Sequence, residues 1–461
     1  VDAAALQSTE RRVVRSKRVS VKWLVPVVAI SLVAAACSSS KSTTKTGDTG
    51  SSGTAATTTV AAVSPADNGG RKTGNSAGFT LGTLLPLTGD LSQLGPPMVK
   101  AGEMAVRDIN AAGGVNGKQI TVVAKDDGGG SQNDLAKANV GQLINQSKVD
   151  MILGAASSAT TKEVIGDIVS SGTVECSPSN TGADLTQYPD KGLYFRTAPP
   201  DELQGPALAK AITNDGHSKV AVIALNNDYG QGFVPFLQQG LSSAGAKIVT
   251  TVPIDPKGSS FDADVDKALR SNPDSIVIVA YPDTGGAVLK SLAQKGKGPK
   301  VLPTYVTDGL QSNDLYKNVD PNNPASVAGI KGTAASAAPE GGTPDFASQL
   351  KAFAPEVTSP IYSAQSYDCV TIAALAAEKA KSNAPYDIAK NFAAVTSKNG
   401  EKCTSFKQCK DLLAQGKTIN YVGAAGQLNL NKYGEPSKGD YELYEFQADG
   451  TYKTLQHVAV G

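Results

Sequence analysis

Histidine, tryptophan and methionine are scarce in this chain, with two, one and three residues among 461. Aromatic residues of every kind make up only 5%. The two histidines, His217 and His457, stand apart from the cysteines, so the spacings of zinc motifs are missing and no metal is expected. So few histidines also leave no histidine-based nucleophile–base pair, and catalysis has no support in the sequence. A dominant charge is lacking too: the formal net charge is +1, and without the first 36 residues it is about −3. That balance gives no electrostatic case for binding nucleic acid. No apolar run reaches the ~20 residues that a membrane-spanning helix needs.

The longest uncharged apolar run is WLVPVVAISLVAAA, 14 residues at 23–36. A basic stretch at 11–22 precedes it and Cys37 follows Ala34, Ala35 and Ala36. Basic, then apolar, then small residues is the order of a secretory signal. A cysteine directly after the small residues resembles a bacterial lipobox, with Ala34 where leucine is usual. Residues 1–36 are therefore expected to be a signal peptide and Cys37 a lipidation site. Export would place the protein on the outer face of the cytoplasmic membrane, held there by its lipid. Residues 38–78 are rich in Ser, Thr, Gly and Ala without apolar periodicity, and are expected to form a disordered tether.

From Phe79 short apolar runs alternate with amphipathic ones. Strands are expected at 79–86, 119–127, 149–155 and 173–177, with helices at 97–114, 135–146 and 160–171. After a break near 196–205 the alternation resumes. Its strands are expected at 219–225, 247–253, 275–281 and 300–306, and its helices at 203–214, 231–243, 262–270 and 285–295. Continuous apolar strands between amphipathic helices argue for parallel sheets covered on both faces. Two such series argue for two α/β lobes. Residues 344–415 read as mainly helical, and 426–458 as antiparallel hairpins.

The opening LLPLTGDLSQLGPPMVKAGEMAVRDINAAGGVNGKQITVVAKDD is similar to that of type I periplasmic binding proteins of the branched-chain amino-acid class. DMILGAASSATT, CSPSNTGADLT, YFRTAPPDELQGPALA, NNDYGQGF and FDADVDKALRSNPDSIVIVAY follow in the family's order. The resemblance runs from Phe79 to the end of the chain. It implies two doubly wound lobes joined by three crossover strands, near 196–198, 333–337 and 421–425. Lobe I would hold 79–198 and 336–422, and lobe II 199–335 and 423–461.

In open α/β sheets ligands bind beyond the carboxyl ends of strands. Ser157 and Ser158 follow one such strand at a helix start, where unpaired N–H groups suit a carboxylate. The next strand ends in Ser179, Asn180 and Thr181. The resemblance implies that Ser158 or Ser157, the Ser179 carbonyl and Thr181 hold a ligand's α-carboxylate and part of its ammonium. Simple N-capping and turn formation explain the same residue types. Asp308 matches the acid that receives the ammonium, with a helix N-cap as the alternative role. Tyr281 would pack on the ligand and Tyr229 would line the cleft or pack within its lobe. Leu94 and Pro97 would face the ligand's side chain.

An oxidising compartment makes cysteine pairing expected. Cys403 and Cys409 are close enough for a local loop. Cys176 would then pair with Cys369 if both lie in lobe I. GNSAG (74–78) matches a nucleophile-elbow pattern but precedes the first strand rather than a strand-to-helix turn. GGVNGK (113–118) lacks the spacing of a phosphate loop, and NLNKYGEPSKGD (429–440) is a hairpin turn before it is a calcium loop.

The reading is therefore of a binding protein, not an enzyme, acting as a monomer without cofactors. Its expected partners are a small amino-acid or amide-like ligand and an ABC permease in trans. A sensor signalling to a partner in trans is the alternative, and a surface-anchored hydrolase a third.

Overall fold

The computed structural model describes residues 67–339 and 341–461. The proposed signal peptide and Cys37 lie outside the described residues. The chain runs β1 (Thr80–Leu85), α1 (Gly95–Ala111), β2 (Thr121–Asp126), α2 (Asn133–Gly141), β3 (Met151–Gly154), α3 (Ser158–Ser171), β4 (Val174–Ser177) and β5 (Tyr194–Arg196). These strands form one all-parallel sheet in the order β2-β1-β3-β4-β5. The chain continues through α4 (Asp201–Asn214), β6 (Lys219–Leu225), α5 (Asp228–Ser243), β7 (Lys247–Ile254), α6 (Asp262–Leu269), β8 (Ser275–Val279), α7 (Pro282–Gln294), β9 (Thr304–Val306), α8 (Leu315–Val319) and β10 (Lys331–Ala335). It then returns to helices with α9 (Phe346–Phe353), α10 (Ser363–Ala380) and α11 (Pro385–Phe392), followed by β11 (Glu401–Cys403), α12 (Phe406–Ala414) and β12 (Ile419–Tyr421). The hairpin β13 (Gly439–Phe446) and β14 (Tyr452–Val460) closes the second sheet, whose order is β14-β13-β10-β9-β8-β6-β7.

Burial explains why both sheets are mainly parallel. Every residue of β3, β4 and β8 is buried, as is β6 after its first residue. Strands apolar on both faces need helices over both, and βαβ crossovers supply them. The edge strand β14 instead mixes half-buried and exposed residues and pairs antiparallel to β13. Helix α10 is the centre of the first lobe: 15 of its 18 residues are buried, and Cys369 on it is bonded to Cys176 of β4. The second disulfide, Cys403–Cys409, ties β11 to α12. Both pairings match the sequence expectation. Among the described residues no helix is long and apolar enough to cross a membrane.

Three expectations are corrected. Residues 67–78, read as the end of a disordered tether, lie against the first lobe. Gly69 N–H donates to Lys191 O (2.9 Å), Arg71 N–H to Gly172 O (2.9 Å) and Asn75 N–H to Asp150 Oδ1 (2.8 Å), so this polar segment satisfies backbone and carboxylate groups rather than burying apolar surface. The strand at 300–306 shrinks to Thr304–Val306, because Val301 and Leu302 N–H both turn back to Gly298 O and Pro303 has no N–H to give a ladder. The tail forms one hairpin instead of several. Residues 426–438 lie outside any strand and bury Glu435, which is 4% exposed, against Arg196.

Candidate functional site

The first lobe contributes the loops after β3 and β4. Ser157 stands at the N-cap position of α3, leaving the helix's first N–H groups at the strand end. Asp127, which is completely buried, accepts from Ala156 N–H (2.9 Å) and Gly129 N–H (2.8 Å) and so fixes the approach to that helix. Burial pushes Asp127 up to about 7. Ser158 Oγ accepts from Gly182 N–H (3.1 Å), and Ser179 Oγ donates to Ala156 O (3.0 Å). The two loops named from the sequence are thus stitched together. Thr181 is buried beside Asp201, whose carboxyl is raised by burial and by neighbouring Asp308.

The second lobe contributes the ends of β6, β8 and β9. Tyr229 stands in the first turn of α5, Tyr281 caps α7 and Asp308 follows β9. The two tyrosine rings stack at 5.2 Å and 7°. Asp308 is 3% exposed and accepts three hydrogen bonds: from Tyr362 Oη (2.7 Å), Tyr229 Oη (3.0 Å) and Gln204 Nε2 (3.1 Å). Burial raises its pKa and those bonds only partly offset it. Gly309 is required here, because a Cβ would come 2.6 Å from Ala280 O and 2.9 Å from Tyr229 Oη.

Between these groups lies a small, partly open cavity with room for about one water molecule. Leu91, Leu94 and Met98 form its apolar end, while Ser158, Ser179, Tyr229, Tyr281 and Asp308 bring polar groups to it. Ser157 and Thr181 stand just behind the lining, and Ser157 Oγ meets Tyr281 Oη at 3.0 Å. Pro97 is buried in α1 and does not border the cavity, whereas Leu91 and Met98 do. Sequence reasoning missed these two and Tyr362. Leu91 and Met98 flank Leu94 at one helical turn on either side and could have been found by that spacing. Tyr362 carries no local signal; it reaches the cavity from the start of α10.

Contacts around the cavity also cross between the lobes. Besides Ser157 with Tyr281 and Tyr362 with Asp308, Asp90 accepts from Asp283 N–H (2.7 Å) and from Thr284 Oγ1 (3.2 Å) at the start of α7. Burial pushes Asp90 up to about 6.

A family model described as "Periplasmic binding protein" matches residues 78–415. The chain belongs to the periplasmic binding protein family. Among its curated relatives, "Leu/Ile/Val-binding protein homolog 1" of Brucella suis is 26% identical over 389 residues, 82% of this chain and 94% of that protein. The "Chemotactic signal transduction system substrate-binding protein BasB" of Halobacterium salinarum is also 26% identical, over 78% of this chain and 85% of that protein. Among solved structures, the branched-chain amino acid transporter substrate-binding protein LivJ of Streptococcus pneumoniae, in complex with isoleucine, superposes with a TM-score of 0.68. That match covers 83% of this chain and 99% of the other, at 22% identity. The two-lobed α/β architecture expected of a type I periplasmic binding protein is therefore present, and these relatives are binding proteins rather than enzymes.

Proposed function

We propose that this periplasmic binding protein is the extracytoplasmic solute receptor of an ABC importer, and that it captures an amino acid or a similar small polar solute by closure of its lobes. One observation carries the reading: the cavity sets the start of α3, rich in N–H and hydroxyl donors, opposite the buried carboxyl of Asp308. A helix N-terminus favours an anion and a buried carboxylate favours a cation, so the pair suits a zwitterion. The stacked tyrosines and the Leu91–Leu94–Met98 end supply apolar walls for a side chain. The names of the Leu/Ile/Val-binding relatives are in keeping with this chemistry. Ser157, Ser158, Ser179 and Thr181 would serve the carboxylate side; Asp308, Tyr229 and Tyr281 would arrive with the second lobe. Contacts made only in the closed form, such as Ser157–Tyr281, would stabilise it. Lipidation at Cys37 would keep the receptor beside its permease.

The test is a thermal-shift screen against amino acids, short amides, urea and small carboxylates, since a ligand of the folded state raises the melting temperature by mass action. Stabilisation by leucine, isoleucine, valine or a close analogue is expected. A response restricted to carboxylates lacking an ammonium would remove the role given to Asp308. The chemotactic relative favours a second reading, a receptor that reports its ligand to a signalling partner. Ligand uptake lost on deleting the gene, and restored by it, separates import from sensing.

A further inference from the structure

The largest fully buried side chain in the described structure is a charged one, Arg196 at the end of β5. Its Nε and Nη2 both donate to Glu435 Oε2 (2.9 and 2.5 Å), and Nη2 also donates to Thr186 Oγ1 (2.7 Å). Its remaining nitrogen, Nη1, turns to the site loop and donates to Gly182 O (2.8 Å) and Asn180 O (3.4 Å). The carbonyls it holds flank Thr181. The backbone repeats the tie, with Arg196 N–H donating to Gly434 O (3.0 Å).

Buried ion pairs are weak sources of stability, because desolvation offsets their attraction, and in some proteins they are retained for the conformation they specify. A peptide unit is planar and trans, so its C=O and N–H point in opposite directions. Holding Asn180 O on the guanidinium therefore sets the direction of the Thr181 N–H, which finds no acceptor among the described residues. Holding Gly182 O fixes the same loop from its other end, where Gly182 N–H meets Ser158 Oγ. Only a planar fork serves an acid and two carbonyls at once; a lysine ammonium lacks that geometry.

We infer that Arg196, oriented by Glu435, is a positioning residue for ligand recognition: it fixes the 179–182 loop so that Thr181 presents its N–H to a ligand carboxylate. The ligand part of this inference rests on the amino-acid reading of the site; the ordering of the loop does not. Glu435 reaches Arg196 from the segment that leads into β13, so the loop's geometry depends on a residue 239 positions beyond Arg196.

The test uses Arg196→Lys in the mature protein, with Glu435→Gln as the milder variant should the first fail to fold. Hydrogen exchange of the ligand-free protein is expected to quicken about tenfold at the Asn180 and Gly182 amides, with the amides of β6 and β8 unchanged. Leucine affinity is expected to fall about tenfold, and that of leucinol, which keeps the ammonium but lacks the carboxylate, less than about twofold. Unchanged exchange in the loop would overturn the inference, as would an equal loss for both compounds. If the wild-type protein binds neither compound, the amino-acid reading fails, and the exchange measurement alone decides whether Arg196 orders the loop.

Discussion

Asp308→Asn removes one charge from the cleft with almost no change of shape. Asp308 accepts from Tyr362, Tyr229 and Gln204 at 2.7–3.1 Å. An asparagine oxygen still accepts from Tyr229 and Gln204, and its amide can donate to Tyr362 Oη. What is lost is the charge-assisted bond to a ligand ammonium, worth ~1.5–3 kcal/mol. That energy corresponds to a roughly 10- to 150-fold weaker Kd. Stability should move the other way. Burial raises the Asp308 pKa, so the charged form is disfavoured in the folded protein above the ordinary carboxylate range. The neutral amide is free of that cost, and the ligand-free melting temperature at about pH 7.5 should stay level or rise. Isothermal titration calorimetry with leucine and with 4-methylpentanoate, its counterpart without the ammonium, separates the effects. Leucine binding within about threefold of wild type would refute the ammonium role. An equal loss for both compounds would trace the defect to cleft packing instead.

Asp90 offers a pH test. Its pKa in the folded protein is about 6 against an ordinary 3.8, so folding takes up a proton between those values and stability falls as pH rises through that window, by up to about 3 kcal/mol. Burial is the main cause and the charge of Asp283 adds to it. Asp90→Asn should therefore gain stability relative to wild type between about pH 4.5 and about pH 7.5 in thermal melts; a pH-independent difference would exclude the linkage. Tyr281→Phe and Ser157→Ala each remove one contact between the lobes, worth ~0.5–1.5 kcal/mol. Their double mutant should weaken ligand binding by less than the sum of the singles, as measured by calorimetry. Of the two disulfides, Cys176–Cys369 spans 193 residues and Cys403–Cys409 spans 6. Loop-entropy arguments give about 5 and about 2 kcal/mol, so replacing the first pair by serine should lower the denaturation midpoint far more than replacing the second.

What could be read from the sequence was what depends on near neighbours in the chain. Strands such as KVAVIAL and SIVIV are apolar after their first residue, a local property that also reports burial on both faces. Strand ends fix where a ligand can sit, and so Ser158, Ser179, Tyr229, Tyr281, Asp308 and Leu94 all reach the cavity. Tyr362 escaped because its partner Asp308 lies on the other lobe, 54 residues away, and nothing in PIYSAQSYD marks a cleft. The 67–78 segment escaped for a different reason. Its composition cannot build a core, yet its Asn and Arg groups find carbonyls on a surface that composition does not describe. Glu435 is the most instructive case. A glutamate among Gly, Pro, Ser and Lys reads as a solvated turn, and glutamate is almost never fully buried unless paired. The clue lay at the other end of the pair. An arginine in the apolar strand LYFRTA cannot be buried alone, so the sequence demands an acid for it somewhere in the chain. That acid has to come from a segment free to fold back over the end of β5. The 426–438 loop meets this condition because no strand ladder or helix commits its backbone, and Gly434 and Glu435 within it both bond to Arg196.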